Sequence, residues 1–72
     1  MKHYAVIGHE IFKEPEIYFY QGTYETEELE TLTIESIQKA SSTKYANYEE
    51  AEEDIYIDHI LESDSPIKVI YS

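Results

Sequence analysis

Apolar and polar positions alternate over residues 2–12 and again over 17–24, whereas 48–62 has the most helix-like pattern in the chain. In the first stretch Tyr4 and Val6 share one parity and Ala5 and Ile7 share the other. A β-strand sends successive side chains to opposite faces, so this strand is apolar on both sides and is expected at the centre of a sheet. Gly8 is expected to mark a bulge or a close approach of another backbone. Lys13, Glu14, Pro15 and Glu16 read as a turn, because Pro15 fixes φ and removes a donor. In the second strand Ile17 and Phe19 face one way, and Tyr18 and Tyr20 the other. The short connection predicts an antiparallel hairpin.

Residues 25–40 admit two readings. Thr31, Leu32, Thr33 and Ile34 alternate like a strand, which favours an acidic loop or strand extension over 25–31. A short helix over 34–40 would follow, with Thr33 as N-cap and Ile34 and Ile37 buried. The competing reading is one continuous helix over 26–41. Ser41 and Ser42 break the pattern, and 43–46 is expected to form a short third strand.

Asn47 is a favourable N-cap, and Glu50 stands where a capping box needs it. The helix is expected to run to about Glu62, because Ser65 precedes Pro66 and is pushed out of the α region. A last strand is expected over 67–71. At roughly 100° per residue, however, Tyr48, Ala51 and Ile55 fall on one stripe of this helix, and Ile57, Ile60 and Leu61 on nearly the opposite one. One small sheet cannot cover both. Either the second stripe meets another subunit or partner, or the helix ends near Asp54 and 55–61 is a strand with Ile55, Ile57 and Leu61 on one face. The longer helix is the preferred reading, although β-branched Ile55 and Ile57 are mediocre helix residues. The expected fold is therefore α+β. A small antiparallel sheet of about four strands carries one main helix on one face, in a single domain over 1–72.

Charge sharpens this picture. Sixteen Asp and Glu stand against five Lys and no Arg, giving a formal net charge of −11. Such imbalance can signal disorder, but 42% apolar residues, 14% aromatics and only two Gly and two Pro suffice to close a core. Self-repulsion predicts a fold that gains stability with added salt. Nucleic acid and acidic membranes would be repelled, and a basic protein surface attracted. There is no cysteine, no apolar run approaches the roughly 20 residues of a membrane span, and the N-terminal stretch turns polar too soon for a signal peptide. A cytoplasmic location in a bacterial host cell is the expectation.

Catalytic chemistry finds little support. The sequence has no Gly-x-Ser-x-Gly, no phosphate-binding glycine loop and no calcium loop. His3, His9 and His59 lack zinc-binding spacing. No catalytic residue, metal or cofactor is expected. The acidic groups are more suggestive. Glu49, Glu52, Glu53, Asp54 and Asp58, with Glu27, Glu28 and Glu30 as a second group, can place carboxylates along a helix at a spacing close to that of DNA phosphates. A basic groove would receive them in place of nucleic acid. The same carboxylates would also keep any small protein soluble. Eight Tyr exceed what this core can bury, and Tyr supplies rigid contact area with a polar tip; Tyr48 and Tyr56 are the expected anchors.

The run Tyr45, Ala46, Asn47, Tyr48, Glu49, Glu50, Ala51, Glu52, Glu53, Asp54, with Pro66 to Tyr71 after it, resembles a strand–helix–strand tail of small phage-encoded proteins. In size and charge the chain is similar to phage inhibitors of nucleic-acid machinery, such as anti-CRISPR proteins and DNA mimics. The resemblance implies a non-enzymatic inhibitor that binds a basic nucleic-acid-binding protein, for example a CRISPR effector, without contacting nucleic acid or membrane. The alternative is an interaction module or homodimer built on Ile57, Ile60 and Leu61, with charge serving only solubility.

Overall fold

The computed structural model describes residues 1–68. Its elements in chain order are β1 (Lys2–Glu10), β2 (Glu16–Gly22), α1 (Thr26–Ala40), α2 (Tyr48–Asp54) and β3 (Ile55–Ser63). β1 lies between β2 and β3 and is antiparallel to both. The class is α+β, as expected, with three strands among the described residues where about four were expected. Residues 43–46 form no strand. Of the expected strand over 67–71, Ile67 and Lys68 are not in one, and the remainder lies outside the described residues.

The central position of β1 follows from its two apolar parities: Tyr4, Ala5 and Val6 are all buried. A turn closes the hairpin, with the Lys13 N–H donating to the Glu10 carbonyl at 2.9 Å. Phe12 adopts φ 64° in that turn.

The main helix is α1, not 48–62. The continuous helix is the reading that holds over this stretch. Leu29, Thr33, Ile34 and Ile37 recur at helical spacing and are buried against the sheet. Glu28 accepts from the Glu25 backbone N–H at 2.9 Å and secures the first turn. The strand-like alternation of residues 31–34 is overridden because Thr33 gains a polar partner inside: its hydroxyl lies 3.0 Å from that of Tyr20.

α2 starts as expected, with the Asn47 side chain accepting from the Glu50 N–H at 2.9 Å, but it ends at Asp54. The physical reasons converge there. Glu52, Glu53 and Asp54 crowd the helix C-terminus, where the macrodipole is negative and no basic residue compensates. Next come Ile55, Tyr56 and Ile57, all better suited to a strand. The two-stripe conflict is resolved by leaving the helix.

β3 carries the correction one step further. Ile7 pairs with His59 and Gly8 with Ile57, so Asp58 has no opposite residue and the strand bulges there. A bulge sets two successive residues against one and shifts the parity beyond it. Ile55, Ile57 and Ile60 therefore point toward the helices, and Leu61 points away with 50% of its surface exposed. Plain alternation would place Leu61 with Ile55 and Ile57. Gly8 explains the position of the bulge: a Cβ there would lie 2.8 Å from the Tyr56 carbonyl oxygen, so β3 passes closer than any larger residue permits.

Both helices cover one face of the sheet. Leu29 packs with Tyr4 and Val6, while Ile34 and Ile37 pack with Ala51 and Ile55. Among the described residues no helix covers the other face, and at one end of it Pro66 and Ile67 line a cavity together with His3, Phe19 and Gln21.

Candidate interaction surfaces

The two helices and the α1 cap hold ten carboxylates: Glu25, Glu27, Glu28, Glu30, Glu35, Glu49, Glu50, Glu52, Glu53 and Asp54. Lys39 is the one basic residue within these helices. Among the described residues the ion pairs are Lys2 with Glu62 and Asp64, and His9 with Asp58. None of the ten takes part. α2 is the densest segment. Its seven residues include five carboxylates over about 10 Å of axis, given a 1.5 Å rise. That is one charge per roughly 2 Å, close to the roughly 1.7 Å of duplex DNA.

The residues singled out in the sequence divide between two faces. Glu49, Glu52 and Glu53 are exposed on α2, and Glu27, Glu28 and Glu30 lie on α1, with Glu28 engaged in the cap. Asp54 is half-buried, its Oδ2 3.4 Å from the Tyr45 hydroxyl. Tyr48 packs against the Ile34, Ile37, Ala51 and Ile55 cluster, as a core residue with an exposed margin. Asp58 and Tyr56 belong to β3, not to a helix, and face the other way. Asp58 Oδ2 lies 2.7 Å from His9 Nδ1, and the His9 ring stacks on Tyr56 at 5.3 Å. The supposed Ile57, Ile60 and Leu61 stripe does not exist as one surface, because Ile57 and Ile60 join the core and Leu61 does not.

The sheet face away from the helices is built from registered rows. Phe19, Ala5 and Leu61 form one row, and Ile17, Ile7 and His59 the next. Ala5 is a buried floor between Phe19 and Leu61, which are both about half exposed. His3 flanks this patch beside Gln21 and Ser63, and His9 and Tyr56 lie at its other end. All three histidines thus fall on this face. Among the outward-facing strand residues Asp58 is the sole carboxylate, and it is bonded to His9.

A third feature escaped sequence reasoning. Glu10 is only 7% exposed, at the end of β1. Its Oε2 accepts from the Tyr45 hydroxyl at 2.5 Å and from the Ser41 hydroxyl at 2.7 Å. The Tyr45 bond, then the Ser41 bond, hold the Glu10 carboxyl below its ordinary pKa against the opposing effect of burial. The bond to Glu10, reinforced by burial, raises Tyr45 well above the usual tyrosine range. At the opposite edge, burial first and a bond to Glu16 second push Tyr18 up to about 12. The donors satisfy a carboxylate that would be costly to bury alone. Sequence distance hides the cluster, since Glu10 ends β1, Ser41 and Tyr45 lie in the connection between the helices, and Asp54 ends α2.

Among the described residues no group of three or more His, Asp or Glu side chains could hold a metal ion, and no helix is long and apolar enough to cross a membrane. Comparison with protein families, curated proteins and solved structures finds no match for this chain. The functional reading therefore rests on the charge and shape of its own two faces.

Proposed function

We propose that this protein is a non-enzymatic inhibitor that binds a basic nucleic-acid-binding protein through its helical layer and excludes nucleic acid from that groove. The observation that carries the reading is the set of ten carboxylates on α1, α2 and the α1 cap, none in an ion pair among the described residues. An ordinary exposed helix intersperses Lys or Arg at i, i+4 positions to offset such charge; α2 has no basic residue at all. The contact residues are Glu49, Glu52 and Glu53, supported by Glu27 and Glu30. A CRISPR effector or another DNA-processing enzyme of a bacterial host is the target class, in the manner of anti-CRISPR proteins and DNA mimics, with binding in the cytoplasm.

Charge steers such an encounter and salt screens it. The test is capture of partners from bacterial lysate at low salt, followed by elution along a salt gradient and identification of each fraction. One nucleic-acid-binding protein leaving in a sharp step, and lost from the Glu49→Lys/Glu52→Lys variant, supports the proposal. Diffuse elution of many basic proteins, or capture unaffected by the double reversal, refutes it.

A further inference from the structure

Phe12 stands apart from the other large apolar side chains. It is 97% exposed, the highest value among them in the described residues. It is also the one described residue other than glycine with a positive φ, at 64°. The Lys13 N–H donates to the Glu10 carbonyl, so Phe12 takes the third position of the turn, where a positive φ ordinarily calls for Gly or Asn. A bulky ring is thus held in an unfavourable backbone conformation and gains no packing in the free protein. The cavity lined by Pro66 and Ile67 lies at the far end of β1, beside His3 and Gln21, so those two residues do not cover the ring.

The turn is tied to the acidic layer. The Ile11 N–H donates to the Asp54 carbonyl at 2.7 Å, where α2 ends. Phe12 is the next residue along the chain. Lys13 turns back toward the Ser42 hydroxyl, with its Nζ 3.4 Å away. A flat apolar ring therefore stands close to the end of a helix whose Glu52 and Glu53 are exposed. Two backbone bonds hold it there, so docking would not have to order the turn.

Intact duplex offers its phosphates but keeps its base faces stacked inside. A single strand offers backbone charge and open base faces together. Proteins that hold single strands match both, with a basic groove and aromatic or Arg faces on which bases stack. Building on the proposed docking of the helical layer, we infer that Phe12 stands in for an unstacked base. Its ring enters the stacking platform of a single-strand-binding groove, and the α2 carboxylates take the place of the adjoining phosphates. The target is thereby narrowed to proteins that grip single-stranded nucleic acid.

The partner captured from lysate is purified and titrated with the full chain, and the complex is then challenged with oligo(dT) or with a DNA duplex of equal phosphate number. Oligo(dT) should displace the protein at the lower concentration. Phe12→Gly should weaken binding by about tenfold or more, the scale of losing one stacked ring, while Phe12→Trp retains it. Phe12→Gly relieves the backbone and should melt no lower than wild type, so weaker binding would not reflect misfolding; Phe12→Asn, which also tolerates this φ, is the second variant. A smaller loss in both variants, or displacement by duplex as readily as by oligo(dT), overturns the inference. Binding that survives Phe12→Gly but is lost from Glu49→Lys/Glu52→Lys leaves the acidic docking standing without the base mimic. Binding unaffected by the double reversal removes both.

Discussion

The Tyr45 hydroxyl donates to Glu10 at 2.5 Å and so ties the loop between the two helices to the end of the central strand. Ser41 adds a second donor to the same oxygen. Tyr45→Phe leaves a buried carboxylate short of a partner and is expected to cost about 1–3 kcal/mol, measured by urea denaturation.

The same pair sets two pH limits. Glu10 is lowered from its ordinary 4.5, so its contribution is fully present above that value and disappears as pH falls through the depressed folded one. Tyr45 is raised from 10.0, so its contribution is fully present below 10.0 and disappears as pH rises through the elevated folded value. The stability of Tyr45→Phe should therefore fall less steeply than wild type on the acid side, and lose the Tyr45 part of the alkaline fall. Parallel profiles for the two proteins would contradict this.

Phe12 is 97% exposed and sits at φ 64°. A bulky side chain in the left-handed region costs roughly 1–2 kcal/mol, and this one has no packing to offset it. Phe12→Gly should raise stability by about 1 kcal/mol, seen as a higher denaturation midpoint.

Gly8→Ala should do the reverse. The added methyl meets the Tyr56 carbonyl at 2.8 Å and the Ile37 and Ile57 Cδ1 atoms at 3.3 Å each. Displacing β3 from its bulge is expected to cost about 1–3 kcal/mol. Amide exchange in β3 should accelerate more than in β2.

Glu53→Lys separates folding from binding. It places a cation in the last turn of α2, where the helix dipole favours one, for a gain of about 0.3–1 kcal/mol. The same change removes a proposed contact with the basic partner. Thermal unfolding and capture should move in opposite directions, and raising NaCl should shrink the stability difference.

Much of this architecture is legible in the residues. The doubly apolar β1, its hairpin with β2, the close approach at Gly8 and the Asn47 cap follow from local chemistry. A helix–strand boundary at Asp54 is one of the two readings the pattern allows, but the α2 start propagates well and the penalty accumulates only at its C-terminus, so the pattern favours the longer helix. Plain alternation puts Leu61 on the wrong face, because the unpaired Asp58 changes parity with no mark in its own strand; the mark, Gly8, lies in β1. The strand expected over 43–46 fails because Tyr45 turns inward to Glu10, a partner 35 positions away. The face lists of β2, read correctly as Ile17 with Phe19, could not reveal which face the helices would leave open.

The strand order β2-β1-β3 also fixes a timetable. The central strand is made early, yet its second neighbour, Ile55–Ser63, is made after both helices. On the ribosome, β1 and β2 can zip as a hairpin while one edge of β1 waits for a partner about fifty residues downstream. An isolated hairpin is marginal in water, and pairings so distant in sequence slow folding. The nascent chain should therefore stay sensitive to protease until β3 has left the exit tunnel, and then become resistant in a single step.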